Sequence, residues 1–303
     1  MKLGMMGLGR MGANMAQRLA RAGHQIVGYD PQAAARKRAE QQNIATGASV
    51  HAVDDLLEPP RVIWLMVPAG KAVDETLDTL LPLLRAGDTV VDGGNSNYKD
   101  TLRRASRLRE RQLNYVDCGT SGGVWGLEQG YSMMVGGNEK AVEALRPIFE
   151  ALAPAPDKGW GRVGPSGSGH FVKMVHNGIE YGLMQAYAEG FSVMRHKADF
   201  KLDLAQIAGI WRHGSVVRSW LLELTGAALE KDPALADLQA WVADSGEGRW
   251  TVAEAIALDV PAPVITAALI ERLRSRDSDS FSDKLLAAMR AEFGGHPVKK
   301  AGA

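Results

Sequence analysis

Short apolar runs alternate with amphipathic stretches through the first half of the chain, and only helical periodicity remains in the second. "KLGMMGLGRMGANMAQRLARAGHQIVGYD" opens on a short apolar strand and passes through a glycine turn into an amphipathic helix ending near Gly23. It then closes a second strand on Asp30. "RVIWLMV" (61–67) and "DTVVDGG" (88–94) repeat the apolar strand signal, separated by helical stretches and ending in Gly or Pro turn chemistry. This alternation predicts an α/β, Rossmann-type doubly wound parallel sheet. From about Ser166 the strand signals cease and long helical patterns run almost to the end, predicting an all-α second domain. The boundary is expected in "APAPDKGWGRVGPSGSG" (153–169), rich in Pro and Gly, which divides the chain into domains 1–165 and 166–303.

Gly7, Gly9 and Gly12 fit G-x-G-x-x-G, with one glycine for the tight turn, one admitting a pyrophosphate close to backbone, and one for helix–strand packing. The candidate cofactor contacts are therefore Gly7, Leu8, Gly9, Arg10, Met11 and Gly12, with the pyrophosphate on the helix N-terminus. A plain strand-to-helix turn would use the same glycines. The N-terminal βαβ context and the acidic residue closing the next strand favour the dinucleotide cradle. Ligands of such sheets bind beyond the carboxyl ends of strands. That nominates Val67, Pro68, Ala69 and Gly70, and the loop "GGNSN" (93–97), where Asn95 either serves cofactor and substrate or caps the following helix. Asp30 can accept both ribose hydroxyls of NAD and would repel the 2′-phosphate of NADP, and Pro31 beside it offers no compensating cation. NAD is the expected cofactor and NADP is disfavoured; the competing role for Asp30 is an exposed Asp-Pro turn.

A length of 303 residues suits two domains, and 35 Lys plus Arg against 35 Asp plus Glu leaves no global field to attract nucleic acid or an acidic membrane. Any charged ligand has to be captured locally. The single cysteine, Cys118, excludes an internal disulfide and a thiolate metal cage and suits a reducing compartment, so a cytoplasmic location is expected. No apolar run approaches the ~20 residues of a membrane helix, and no leader pattern opens the chain. His24, His51, His170, His196 and His213 form no ligand cluster, and no metal is expected.

The helix carrying "HFVKMVHNGIEYGLMQAYAEGFSVM" is apolar on much of its circumference and is expected to be a core rod of the second domain. Lys173, His176, Asn177, Glu180 and Tyr181 recur at spacings that share one face. On an exposed face these are ordinary solvated residues; facing a cleft they are a base, an acid and polar tethers on a rigid rod. Lys173 and Glu180 stand two turns apart, roughly 10 Å, too far to pair directly. They are expected to flank something between them, because unpaired buried charge is costly.

The strings "HFVKMVHNGIEYG", "GGNSNYKDT", "DCGTSGG" and "GRWT" together closely resemble the 6-phosphogluconate dehydrogenase family, decarboxylating oxidoreductases of the pentose phosphate pathway, across nearly the whole chain. The chain is much shorter than the common form and resembles the short bacterial class lacking one copy of the duplicated helical region. The resemblance implies a Rossmann-type domain followed by a helical substrate-binding and oligomerisation domain. The implied reaction converts 6-phosphogluconate to ribulose 5-phosphate and carbon dioxide with reduction of NAD. By analogy Lys173 is the base at the C3 hydroxyl, which requires its pKa to be lowered by partial burial and the cationic cofactor ring. Glu180 is the acid that protonates C1 of the enediol.

In the same family pattern Ser121, Gly122 and Gly123 hold the C1 carboxylate in an arrangement resembling an anion nest. His176 and Asn177 tether hydroxyls and carboxylate. Arg272 binds the phosphate with support from Tyr181. Arg290 and His296, in "RAEFGGH", match a tail that reaches into a neighbouring subunit, implying a homodimer or homotetramer with shared active sites; as a helix-end charge and a terminal residue they would carry no such role.

The phosphate end departs from the long form. "SGEGRWT" (245–251) stands where long forms resemble "KGTGKWT", so Ser245 and Glu247 replace a phosphate-binding lysine and a threonine, and Arg249 is either an assisting cation or a helix-start surface charge. Two rivals remain at this level. A β-hydroxyacid dehydrogenase of the 3-hydroxyisobutyrate type shares the fold and the lysine, but usually has paired asparagines where this chain has His176 and Asn177, and lacks the acid at Glu180. A non-catalytic dinucleotide-binding protein would have lost Lys173 or the glycines.

Overall fold

The computed structural model of the chain describes residues 1–294 and 297–299. Among these, the strands β1 (Lys2–Met6), β2 (Gln25–Tyr29), β3 (Ala45–Thr46), β4 (Val62–Leu65), β5 (Thr89–Asp92), β6 (Asn114–Ser121), β7 (Ser132–Gly136) and β8 (Trp160–Gly164) form one sheet. Between them lie α1 (Arg10–Arg21), α2 (Ala33–Glu40), α3 (Val50–Asp54), α4 (Lys71–Leu80), α5 (Tyr98–Arg109), α6 (Gly126–Gln129), α7 (Glu139–Ala144) and α8 (Arg146–Leu152). After the sheet come α9 (Ser168–His196), α10 (Leu204–Trp211), α11 (Trp220–Lys231), α12 (Glu247–Ala257), α13 (Pro263–Arg274) and α14 (Phe281–Gly294). The α/β Rossmann-type sheet followed by helices is the fold class the sequence predicts.

The strand order is β3-β2-β1-β4-β5-β6-β7-β8, with every pair parallel except β6 and β7. Successive side chains of a strand point to opposite faces, and the core divides accordingly. Leu3, Met5, Val62, Trp64 and Val91 join one apolar cluster, while Met6, Ile63, Leu65 and Val90 join the other. Burial on both faces explains why β4, "VIWL", reads as a continuous apolar run. The order reverses at β1, which has β2 on one side and β4 on the other, so the crevice beyond the carboxyl ends of β1 and β4 is the switch point where such sheets bind ligands.

Two features differ from expectation. The sheet is not wholly parallel, because β7 runs antiparallel to β6. The Pro- and Gly-rich segment 153–169, in which the domain boundary is expected and no strand is, carries β8, which pairs with β7. "WGRVG" is too short and glycine-rich to give a strand signal by itself. Tertiary packing supplies it, as Trp160 stacks on Phe149 at 5.1 Å between ring centroids.

The chain packs as two compact units, Met1–Gly178 and a second beginning at Ile179. This division lies inside α9 and is distinct from the change from strands to helices between Gly164 and Ser168. The opening turns of α9 belong to the first unit and lie directly on the sheet. A Cβ on Gly169 would meet the Asp117 carbonyl oxygen at 2.6 Å, and one on Gly119 would clash with the Lys173 Cβ. Small residues at both contacts let backbone approach backbone.

In the second unit the buried apolar residues are few: Phe191, Ala208, Leu222 and Leu229 in one group, and Tyr181, Ala268 and Leu269 in another. The expected core rod is therefore corrected. Within this unit α9 leaves Ile179, Leu183 and Val193 exposed, Val193 to 72%. Apolar periodicity predicts a helix with much to bury, but the neighbouring helices of a single chain cover only part of its circumference.

Candidate active site

The glycine turn after β1 is shaped by close approach. Gly7 has φ of +98°, which strongly favours glycine, and a Cβ there would run into the Met66 carbonyl. A Cβ on Gly12 would clash with the Gly7 carbonyl, so α1 packs on the turn only without one. Gly9 is different: nothing lies within 4 Å of its would-be Cβ, which leaves the N-terminus of α1 open on that side. Gly9 caps α1 with no side-chain acceptor, so the first backbone N–H groups of the helix have no side chain covering them. The three glycines thus meet the requirements of turn, access and packing, and the residues present fit a dinucleotide pyrophosphate.

A cleft of about 940 Å³ opens there. Gly7, Gly9, Arg10, Met11 and Gly12 line it from the turn, with Asp30 after β2, Val67 and Pro68 after β4, and Asn95 after β5. Three expected contacts lie outside its lining. Leu8 is buried, and its backbone N–H donates to Asp30 Oδ2 at 2.9 Å. Ala69 is exposed in its loop. Gly70 precedes α4 with φ of +85°, and its carbonyl accepts from Arg104.

Asp30 is buried, with Oδ1 accepting from the Gln32 N–H at 2.8 Å. Each carboxylate oxygen is thus anchored by backbone. One reading needs correction: Asp30 does have a cation near it. Arg36 Nη1, on the first turn of α2, donates to the carbonyls of Asp30 at 2.6 Å and Pro31 at 3.3 Å. Looking only at the adjacent residue missed it, because a helix start brings a side chain six positions on back over the turn.

Asn95 is exposed, and the cap of α5 is Asn97, whose Oδ1 accepts from the Lys99 N–H at 2.9 Å. Capping does not occupy Asn95. The cleft also has a wall that sequence reasoning missed: Ala72, Glu75, Thr76 and Thr79 of α4, with Thr120 of β6. The signal was available, since 72, 75, 76 and 79 share one face of the helix that follows the Val67–Gly70 loop.

Lys173 is 4% exposed on the part of α9 held against the sheet. Its Nζ donates to Asn177 Oδ1 at 2.6 Å and lies 3.3 Å from His176 Nδ1, which is itself 3.1 Å from Asn177 Oδ1. Helical spacing brings the three together. His176 Nδ1 stands between the Lys173 Nζ and the Asn177 amide oxygen, and its tautomer selects which of the two it engages. At the end of β6, Ser121 leads into Gly122 at φ +125° and Gly123 at φ +52°, left-handed conformations that favour glycine. These three do not line the 940 Å³ cleft; their neighbour Thr120 does.

The second unit holds its own polar group. Tyr181 is buried, and α12 passes over its ring so closely that a Cβ on Gly248 would meet it at 2.5 Å. Arg272 stacks on that ring at 3.5 Å from the centroid and donates from Nη1 to the Ala243 carbonyl at 2.9 Å. Arg249 and Arg276 both pair with Asp244, at 3.1 and 2.7 Å. Hydrogen bonding from Arg249, reinforced by Arg276, holds the Asp244 carboxyl below the ordinary carboxylate range. Arg276 was not singled out from sequence, although it follows Arg272 by four residues. Ser245 donates to Glu247, which is buried at the start of α12, so the two departures from the long form engage each other. Glu180 is half-buried on α9 and Arg290 is exposed on α14; His296 lies outside the described residues. Among the described residues no helix is long and apolar enough to cross a membrane.

Residues 2–161 match the NAD binding domain of 6-phosphogluconate dehydrogenase, and residues 169–292 match the 6-phosphogluconate dehydrogenase C-terminal domain. The chain is 47% identical over 301 residues to the NAD(+)-dependent, decarboxylating 6-phosphogluconate dehydrogenase of Haloferax volcanii, covering 99% of each. Among solved structures it matches Plasmodium falciparum 6-phosphogluconate dehydrogenase, studied in its apo form and in complexes with NADP+ and with 6-phosphogluconate. That match has a TM-score of 0.83 and 30% identity, covering 100% of this chain and 67% of that one. A 3-hydroxyisobutyrate dehydrogenase of Salmonella typhimurium, at TM-score 0.76 and 22% identity over 92% of this chain and 95% of that one, shares the fold. With both halves matched and a relative nearly half identical from end to end, the chain belongs to the family of decarboxylating 6-phosphogluconate dehydrogenases.

Proposed function

We propose that this chain carries out its family's reaction, from 6-phosphogluconate to ribulose 5-phosphate and carbon dioxide, with NAD as the electron acceptor and Lys173 as the base. The observation that carries the reading is the buried Lys173, whose Nζ lies against the side chains of His176 and Asn177 on the part of the helix packed on the sheet. A lysine placed this way can exchange a proton with a substrate hydroxyl.

The turn from Gly7 to Gly12 would hold the pyrophosphate, and Asp30 the adenosine ribose, with Val67, Pro68 and Asn95 along the remaining wall. Both Asp30 oxygens are fixed by backbone donors and Arg36 is spent on carbonyls, which supports a site for ribose hydroxyls rather than a 2′-phosphate. Bound NAD supplies the oxidised nicotinamide that takes up the two electrons leaving C3.

Lys173 removes the C3 hydroxyl proton. The ammonium so formed stays at the C3 oxygen and polarises the new carbonyl, so the electron pair released as C1 departs as carbon dioxide is delocalised onto that oxygen. Glu180 then protonates the carbon that lost carbon dioxide, C2 of the substrate and C1 of the enediol. Ser121, Gly122 and Gly123 orient the carboxylate, and His176 and Asn177 the hydroxyls. Arg272 on its Tyr181 platform, with Arg249 and Arg276, is the phosphate end, and Arg290 and His296 are assigned to the site of a neighbouring subunit. The exposed apolar side chains of the second unit support a homodimer or homotetramer. A cytoplasmic location fits the single reduced thiol.

The test is purified protein with 6-phosphogluconate and each nicotinamide cofactor in turn, following reduced cofactor and released carbon dioxide. We expect turnover with NAD favoured, and a loss of about 10³-fold in Lys173→Met with NAD binding retained. Near-normal turnover by that variant would remove Lys173 as the base, and equal efficiency with NADP would remove the ribose role of Asp30. Oxidation without carbon dioxide release would favour a β-hydroxyacid dehydrogenase.

A further inference from the structure

Two loops of the cleft, one following β4 and the other β5, are tied together by a single guanidinium that does not itself line it. Arg104, on α5, has a side chain only 1% exposed. Its Nη2 donates to the Gly70 carbonyl at 2.9 Å and its Nη1 to Ser96 Oγ at 3.3 Å. Its Nε and Nη2 grip Asp74 of α4 in a bidentate pair at 2.9 and 3.1 Å. Asp92, at the end of β5 and 1% exposed, completes the group: it accepts from Ser96 Oγ at 2.8 Å, Tyr115 OH at 2.9 Å and the Gly94 N–H at 3.2 Å, and lies 3.7 Å from Arg104 Nη1.

The consequence is geometric. Gly94 and Ser96, both bonded to Asp92, bracket Asn95. Gly70, bonded to Arg104, follows Val67 and Pro68 in a four-residue loop. The free ends of both loops line the cleft, and their roots converge on one side chain. Packing alone does not call for this, because well-packed apolar residues commonly replace a buried ion network without loss of stability. A planar cation with several fixed donors does what an apolar contact cannot: it sets direction as well as distance.

We propose that Arg104 and Asp74 are positioning residues that fix the spacing between the Val67–Pro68 wall and Asn95, and thereby the affinity for the dinucleotide. This rests on the NAD reading above and adds to it two residues that do not line the cleft. Asp74→Asn keeps an acceptor but removes the charge that orients the guanidinium. Arg104→Lys keeps the charge but cannot reach Gly70, Ser96 and both Asp74 oxygens together.

The experiment titrates NAD against the intact protein without substrate, then measures steady-state kinetics. We expect the dissociation constant for NAD to rise about tenfold in both variants, the lower end of what loss of an outer-shell partner costs in a metal site. The loss should fall on KM for NAD rather than on kcat. Should Arg104→Lys fail to fold, Asp74→Asn, whose side chain is 28% exposed, decides alone. A folded Asp74→Asn protein that binds NAD within twofold of wild type overturns the proposal. So does a loss that falls on kcat with KM for NAD unchanged. Because binding is read separately from turnover, a wild type that binds NAD but does not oxidise 6-phosphogluconate would sink the functional assignment and leave the clasp standing.

Discussion

The first unit buries charge and the second exposes hydrocarbon. In the first, Arg61 pairs with Asp54 and Asp88, Arg104 with Asp74, and Asp117 accepts from the backbone of Gly167 and His170. Each of these buried ions has its partner within the unit, as the cost of unpaired burial demands. In the second, Val193, Val216 and Ile256 are 72%, 98% and 73% exposed, and the apolar clusters are small. One region pairs the ions named above and builds its core from its own residues. The other carries apolar side chains in solvent, which is what the proposed homo-oligomer would cover.

The strongest way to break this comparison is to place a charge on the exposed hydrocarbon. Val193→Asp should leave the chain folded, since the side chain is already mostly in solvent, but weaken self-association at least tenfold. Light scattering across a dilution series reads this directly. A wild type that is monomeric at all concentrations would leave the second unit's surface without the role assigned to it.

A smaller effect sharpens the other side. Hydrogen bonding from Arg104, with help from Arg103, holds the Asp74 carboxyl down at about 2 against an ordinary 3.8. Its folded-state pKa is depressed, so its contribution to stability is present in full above about pH 4 and is lost as the pH falls toward about 2. Wild type should therefore exceed Asp74→Asn by about 2 kcal/mol in urea unfolding at neutral pH, with the gap closing through that acid window. A gap that persists at pH 2 would mean the carboxylate's charge is not what matters.

The smallest effect concerns Cys118, which is fully buried, with burial pushing its thiol up to about 12. A thiol so protonated and enclosed should not react with a disulfide reagent at pH 8 in the native protein, and should react once per chain after unfolding. Labelling of the native state would show that the first unit opens more readily than its packing implies.

What could be read from sequence follows what is local. The glycine turn was legible because Gly7 answers to its own dihedral and Gly12 to the Gly7 carbonyl five residues before it, with Gly9 left open between them. Lys173, His176 and Asn177 were legible as a group because helical spacing alone brings them together. Strand β8 was not, since "WGRVG" becomes a strand only when Trp160 finds Phe149. Asn95 could be read as the cap of α5 until the start of that helix was fixed at Asn97. Arg36, Arg104 and Arg276 escaped notice for a common reason: a long guanidinium acts on carbonyls and carboxylates several residues or a whole loop away, and nothing in the neighbouring sequence marks which ones.

The contact of α9 with β6 sets a limit on redesign. Because Gly119 and Gly169 leave no room for even a methyl group, the backbone position of Lys173 is dictated by main-chain atoms of the sheet. Laboratory evolution toward other hydroxy acids would therefore find the lysine immovable. New specificities would have to arise by reshaping what surrounds it, through side chains such as His176 and the loops beyond β4 and β5. Libraries that spare these two glycines and vary those positions should retain far more folded members than libraries that randomise the helix itself.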